Sequence, residues 1–206
     1  MRAPVKLYLA SSNPGKLKEY RVLAEQAPAS SSVSVELELL PEFSSLPEFE
    51  EDAPTFAENA TGKALHYSRL SEELVFADDS GLVVPALGGA PGVHSARYAG
   101  ADATNSQRIE KLLREMRDEA GAERSAHFVC VIALARKGSA LEVVTDRVDG
   151  EILELPQGAG GFGYDPVFYF PSLKKTFAEL SPEEKNQHSH RGKAFRKLLA
   201  GLSSML

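Results

Sequence analysis

The chain has 206 residues, 43% of them hydrophobic and 25% charged, and a net charge of −6; this is the composition of an ordinary globular domain, and it excludes a disordered chain and a basic partner for bulk nucleic acid. No apolar run reaches the roughly 20 residues of a membrane helix, and Met1 to Ala10 lacks the small-residue cleavage pattern of a secretory signal. The single cysteine, Cys130, sits in the apolar run Phe128 to Ala135 with no partner for a disulfide, which fits a reducing cytoplasm.

Val5 to Ala10 alternates and reads as a strand, broken by Ser11-Ser-Asn-Pro-Gly15. Lys16 to about Gln26 has helical spacing, with Leu17, Tyr20, Leu23 and Ala24 on one side. Val33 to Leu40 alternates again. This opening of strand, tight loop, helix and strand predicts an α/β fold. An acidic loop follows, Leu46-Pro-Glu-Phe-Glu-Glu-Asp52. Thr55-Phe-Ala-Glu58 is a capping box and predicts a helix to about Leu70. Gly62, in its middle, weakens that helix by about 1 kcal/mol relative to alanine. Leu74 to Ala77 reads as a short buried strand that Asp78-Asp-Ser-Gly81 ends, and strand character resumes from Leu82 to Leu87.

Gly88 to Gly100 is a Gly/Ala/Pro-rich loop. Thr104 or Asn105 caps a helix to about Ala120, with Ile109, Leu112, Leu113 and Met116 on its inner stripe. Ala126 to Ala135 and Leu141 to Asp146 flank Arg136-Lys-Gly-Ser139, a hairpin signal. Arg147 to Leu155 reads as a further strand. Gln157 to Tyr164 is glycine-dense, and Pro166 to Phe170 is strand-like. Ser181-Pro-Glu-Glu184 is a second capping box with proline at the first helical position. A helix follows and, after Gly192, continues to the C-terminus.

Four segments put polar or glycine residues where chemistry is expected, at strand ends and helix starts. Ser11 to Lys16 offers helix N–H groups and a lysine to an anion, although it lacks the glycine spacing of a Walker A loop. Asp78 and Asp79 are adjacent acids after an apolar stretch, costly unless compensated. Strand alternation sends them to opposite faces, so one can meet a hard cation or a water while the other holds the loop. Gly158-Ala-Gly-Gly-Phe-Gly-Tyr-Asp165 offers Phe162 and Tyr164 to a planar base and Asp165 to its N–H groups. Lys185 and His188-Ser-His-Arg191 form a cationic cluster. Each segment also has a plain structural reading: a turn, a solvated cap, a glycine hairpin over core aromatics, and a solvated helix face.

Taken together, these segments resemble the inosine triphosphate pyrophosphatase family in its bacterial branch. The resemblance rests on Leu9-Ala-Ser-Ser-Asn-Pro-Gly-Lys16, Thr55-Phe-Ala-Glu-Asn-Ala60, Ala77-Asp-Asp-Ser-Gly-Leu82 and Leu87-Gly-Gly-Ala-Pro-Gly-Val-His-Ser-Ala-Arg-Tyr98. It continues through Gly160-Gly-Phe-Gly-Tyr-Asp-Pro166, Lys175-Thr-Phe-Ala-Glu-Leu180 and Ser189-His-Arg-Gly192, in order along nearly the whole chain. It implies one domain over residues 1–206, with a long, mixed, twisted central sheet flanked by helices and two lobes with a cleft between them. It also implies a homodimer and a Mg²⁺-dependent cut between the α- and β-phosphates of ITP, dITP or XTP.

By the same resemblance, Ser11, Ser12, Asn13, Gly15 and Lys16 hold the triphosphate. Asp79 binds Mg²⁺ and acts as base for water, with Ser80 touching the substrate beside it. Phe162, Gly163, Tyr164 and Asp165 contact base and sugar, and Lys185, His190 and Arg191 complete the set. The second metal acid comes from the acidic loop, with Glu48 and Glu50 as candidates and Glu51 beside them. Donors such as Lys185, His190 or Arg191 suit a 6-oxopurine and leave the amino group of ATP badly paired. Two other functions remain at this point. One is the related septum-inhibition type of pyrophosphatase acting on dTTP or UTP, which usually has paired arginines where this chain has Pro14-Gly15-Lys16. The other is a non-enzymatic purine-nucleotide sensor.

Overall fold

A computed structural model describes residues 4–25 and 34–205. In chain order its strands and helices are β1 (Val5–Leu9), α1 (Pro14–Glu25), β2 (Val35–Leu39), α2 (Phe56–Ser68), β3 (Leu74–Val83), α3 (Asn105–Glu115), β4 (Ser125–Arg136), β5 (Ser139–Ile152), β6 (Phe168–Phe170), β7 (Lys175–Thr176), α4 (Pro182–His188) and α5 (His190–Met205). The described strands form one seven-stranded sheet in the order β2-β1-β3-β4-β5-β6-β7. It is mixed: β1 runs parallel to β2 and β3, whereas β6 is antiparallel to β5 and β7. The α/β expectation holds.

Local chemistry explains the element ends. Thr104 and Gln107 exchange the two bonds of a capping box at α3, and Ser181 and Glu184 do the same at α4. Thr55 accepts the Glu58 N–H at the start of α2. The two-residue turn of Lys137 and Gly138, both at positive φ, joins β4 to β5.

Four expectations need correction. Strand character does not run from Leu82 to Leu87, because β3 ends at Val83 and Pro85–Leu87 forms a 3-10 turn. Asp78-Asp-Ser-Gly81 does not end a strand: β3 runs through it without a break. Arg147 to Leu155 is not a separate strand, because β5 continues to Ile152. The break between the last two helices falls at Ser189, in extended backbone, and Gly192 lies inside α5. Gln26 and Val33, the expected end of α1 and start of β2, lie outside the described residues.

The chain divides into two compact units. The first comprises Met1–Asp79, Cys130–Asp146 and Arg191–Leu206; the second comprises Ser80–Val129 and Arg147–His190. The first unit's core includes Leu7, Leu9, Tyr20, Phe76, Ile132 and Phe195. Tyr20 packs edge-on against Phe76 with ring centroids 5.1 Å apart. The second unit's core includes Leu82, Leu112, Met116, Phe128, Phe168 and Phe177. Arg124 ties its irregular parts by donating to the carbonyl oxygens of Met116, Glu119, Ile152 and Leu153. Among the described residues no helix is long and apolar enough to cross a membrane.

Candidate active site

In the first unit, β3 presents its two acids to different surroundings. Asp78 is fully buried. Its carboxylate lies 3.1 Å from Lys16 Nζ and 3.5 Å from Arg191 Nε, and Lys16 also donates to its carbonyl oxygen at 3.3 Å. Arg191 is itself buried and pairs with Glu19. Behind them, the Cys130 thiol donates to Asp78 at 3.9 Å and lies 3.8 Å from the Tyr20 hydroxyl. Burial pushes the Asp78 pKa up, but Lys16, Arg191 and Lys63 together outweigh it and hold the group at about 2. Burial, with the Asp78 charge adding to it, pushes the Cys130 thiol up to about 12.

Asp79 faces the other way. Asn59 Nδ2 donates to its Oδ2 at 3.0 Å. Burial raises its pKa and the charge of Glu51 adds to the rise. Lys16, the Asn59 hydrogen bond and Lys63 only partly oppose them, so the group settles at about 6. Glu51 is half-buried and takes a 2.6 Å bond from the buried Lys63. Glu48 and Glu50 are exposed. Of the acidic-loop candidates, Glu51 is the one whose charge bears on Asp79, whereas Glu48 acts on Tyr67. Among the described residues no group of three or more acidic, histidine or cysteine side chains forms a closed metal cage. Two hard carboxylates suit an ion that keeps several waters and shares phosphate oxygens.

The first loop is organised by its own side chains. The Ser11 hydroxyl accepts the Asn13 N–H at 3.2 Å. Asn13 Oδ1 accepts the N–H groups of Gly15 at 2.9 Å and Lys16 at 3.2 Å. Asn13 therefore caps α1, and it takes two of the N–H groups expected to face an anion. Ser12 is exposed, and Gly15 and Lys16 are half-buried.

In the second unit, Asp165 is buried and its Oδ2 takes the Phe162 N–H at 2.7 Å and Lys185 Nζ at 2.5 Å. Lys185 Nζ also stands 4.8 Å from the centre of the Phe162 ring. Gly161 makes this possible. Its φ is +68°, and a Cβ there would meet Asp165 Oδ2 at 2.1 Å. Gly163 and the ring of Phe162 are half-buried beside this pair. Ser80, directly after Asp79, is half-buried too. His190 opens α5 with its ring stacked on Phe128, centroids 4.7 Å apart and planes at 11°. Tyr164 departs from expectation: its ring is core, and its hydroxyl donates to the Ser95 carbonyl at 3.0 Å. Its carbonyl oxygen takes the N–H groups of Val167 and Phe168 at 3.0 and 3.1 Å. A groove of about 520 Å³ lined by Ile109, Leu113, Arg114, Arg117 and Pro156 contains none of the charged candidates.

With this geometry in view, comparison with known proteins gives a consistent result. The model of the Ham1 family matches residues 7–201. The chain belongs to the Ham1 family. A dITP/XTP pyrophosphatase from Geobacillus kaustophilus is 50% identical over 192 residues, covering 93% of this chain and 91% of that protein. The solved structure of a HAM1 protein from Coxiella burnetii superposes with a TM-score of 0.82 at 42% identity, covering 97% of this chain and 99% of that one. A structure from Mycobacterium abscessus, described as a nucleoside-triphosphatase and dITP/XTP pyrophosphatase, gives 0.68 at 39% identity over 95% of this chain and 99% of its own.

This Ham1-family chain also holds site residues that reading the sequence missed. Asn59 and Lys63 lie four apart on α2, one turn after its cap, so both face the same way. That spacing was the available signal. Glu19, three residues after Lys16, had no comparable one.

Proposed function

We propose that this protein hydrolyses non-canonical purine nucleoside triphosphates (ITP, dITP and XTP) to the monophosphate and pyrophosphate, with Mg²⁺. The observation that carries the proposal is Asp79. It is a buried carboxylate with a pKa of about 6, held to Asn59 and within the field of a second acid, Glu51, and of Lys16 and Lys63. A nucleic-acid or peptide-binding surface has no use for such a group, whereas a hydrolase that activates water does. The names of the relatives support the same substrates.

In this reading the whole chain acts as one pyrophosphatase domain. Asp79 and Glu51 hold the metal, and Lys16 with the Ser11 to Gly15 loop holds the triphosphate. When bound, Mg²⁺ supplies positive charge that offsets the charge gathering on the phosphates. Asp79, ionised near neutral pH, takes a proton from water as the water oxygen bonds to the α-phosphorus. The bond from that phosphorus to the bridging oxygen breaks, and pyrophosphate leaves with the electron pair.

The Asp165 and Lys185 pair reads the base. Lys185 carries three protons; it can keep Asp165 and still donate to a 6-oxo group, with Phe162, Gly163 and His190 around it. Arg191, buried against Asp78 and Glu19, supports Lys16 from behind instead of reaching the base. Ser80 contacts the substrate next to Asp79. A cytoplasmic homodimer completes the reading, and sedimentation tests its assembly. The deciding experiment is a panel of ITP, dITP, XTP, GTP, ATP and dTTP, with and without Mg²⁺. The oxopurines without a 2-amino group should exceed ATP by about 100-fold or more in kcat/KM. Turnover of dTTP without turnover of ITP would overturn the proposal.

A further inference from the structure

Gly62 occupies the middle of α2, where glycine is a poor helix former. The structure supplies the reason. A Cβ at Gly62 would lie 2.6 Å from Cζ and 3.1 Å from Cε2 of Phe49. The ring of Phe49, from the acidic loop, therefore sits in a notch that only glycine leaves open. The backbone under the ring is fastened, because the Phe49 N–H donates to the Tyr67 hydroxyl at 3.3 Å, and the ring itself stands 5.8 Å from that of His66.

The loop is fastened on both sides of Glu51. Before it, the Pro47 carbonyl oxygen meets His66 Nε2 at 2.9 Å, and Phe49 fills the notch. After it, the Ala53 N–H donates to Asn59 Oδ1 at 3.0 Å, and Asn59 Nδ2 donates back to the Ala53 carbonyl at 3.3 Å. The fastening residues Asn59, Gly62, Lys63, His66 and Tyr67 recur at helical spacing, so they form one face of α2. The same Asn59 amide holds Asp79. One helix face therefore sets the place of both proposed metal acids.

We propose that Phe49 seated over Gly62 is a lock that fixes Glu51 for a divalent cation, which makes Phe49 a positioning residue. The inference rests on the proposed metal role of Glu51 and Asp79. Loosening an outer support of a metal ligand weakens affinity more than it changes chemistry at saturating metal. Gly62→Ala should leave the metal-free melting temperature near that of the parent, since the helix gain of alanine offsets the packing lost when the Phe49 ring is displaced. It should nevertheless weaken binding of Mn²⁺ alone, followed by its paramagnetic signal, by about tenfold. The half-saturating Mg²⁺ for ITP hydrolysis should rise in parallel, with kcat at saturation within about threefold. Phe49→Ala should weaken Mn²⁺ similarly. The double variant should be no worse than Phe49→Ala, because with the ring gone the new methyl meets nothing.

Parent-like Mn²⁺ affinity in Gly62→Ala, or additive losses in the double variant, would overturn the lock. Glu51→Gln separates the two levels. If it binds Mn²⁺ normally, the metal assignment and the lock both fall; if it binds poorly while Gly62→Ala binds normally, only the lock falls.

Discussion

The two faces of β3 around Asp78 and Asp79 hold the same kind of side chain one peptide apart, and their physics is opposite. On one face Asp78 meets Lys16 and Arg191 at ion-pair distance and is held at about 2. On the other, Asp79 has an amide donor and the charges of Lys16 and Lys63, but burial and the charge of Glu51 outweigh them and it stands at about 6. Both are buried. What separates them is whether the neighbourhood matches the charge. A matched carboxylate fixes geometry, and an under-matched one stays ready to take a proton or a cation. In the proposed reading the first face is framework and the second does the chemistry.

The largest effect that would sharpen this contrast is expected from Asp78→Asn. It leaves Arg191 and Lys16 short of a counter-charge in the interior and should lower the unfolding free energy by about 3–5 kcal/mol in denaturant titrations. A loss below about 1 kcal/mol would mean that this face is not framework.

Asp79→Asn should behave in the reverse manner. Its kcat should fall by about two decades or more with nucleotide binding kept, as for loss of a key base. Metal-free, it should also be more stable than the parent at pH 7.5, by about 1–2 kcal/mol. The sign follows from linkage. A folded pKa of about 6, above the ordinary carboxylate value of 3.8, means the native state binds that proton more tightly than the unfolded chain. The parent therefore loses stability as pH rises from about 4 to about 6, and the amide does not. Melting curves at pH 4 and pH 7.5 check this, and the advantage should vanish at the lower pH. Asp78 has the other sign: its stabilisation is present above the ordinary value and fades as pH falls toward about 2.

A smaller effect is expected from Lys16→Ala, which touches both faces. It should raise KM about tenfold for every triphosphate alike, the size of a lost charge-assisted hydrogen bond. A loss confined to one base would break the assignment of this loop to phosphate.

Much of this was legible in the sequence. The capping boxes read at Thr55 and Ser181 and the cap at Thr104 marked helix starts, although at Thr55 the capping bond is that of the Glu58 N–H to the threonine side chain, and the order of short motifs from Ser11 to Gly192 marked the family. The strand through Asp78 to Gly81 was not legible, because two acids, a serine and a glycine read locally as a turn. The residues that make a strand tolerable there, Lys16, Asn59 and Arg191, come from distant parts of the chain. The same reason hid the division of labour among acids. Glu48, Glu50 and Glu51 are equivalent as letters, and only the fold pairs Glu51 with Lys63 while leaving the other two in solvent. Tyr164 and Arg191 were readable as polar groups, but not as groups whose polar atoms are already engaged in the interior. Gly62 was a flaw in the helix until Phe49 was placed over it.

The buried thiol behind Asp78 has a practical consequence. Cys130 is the sole cysteine of the chain, and with its proton held up to about 12 it resists alkylating reagents in the native state. Any labelling must wait for that part of the interior to open. The rate of modification by a maleimide therefore reports how readily that region opens, with no engineered probe and one signal per molecule.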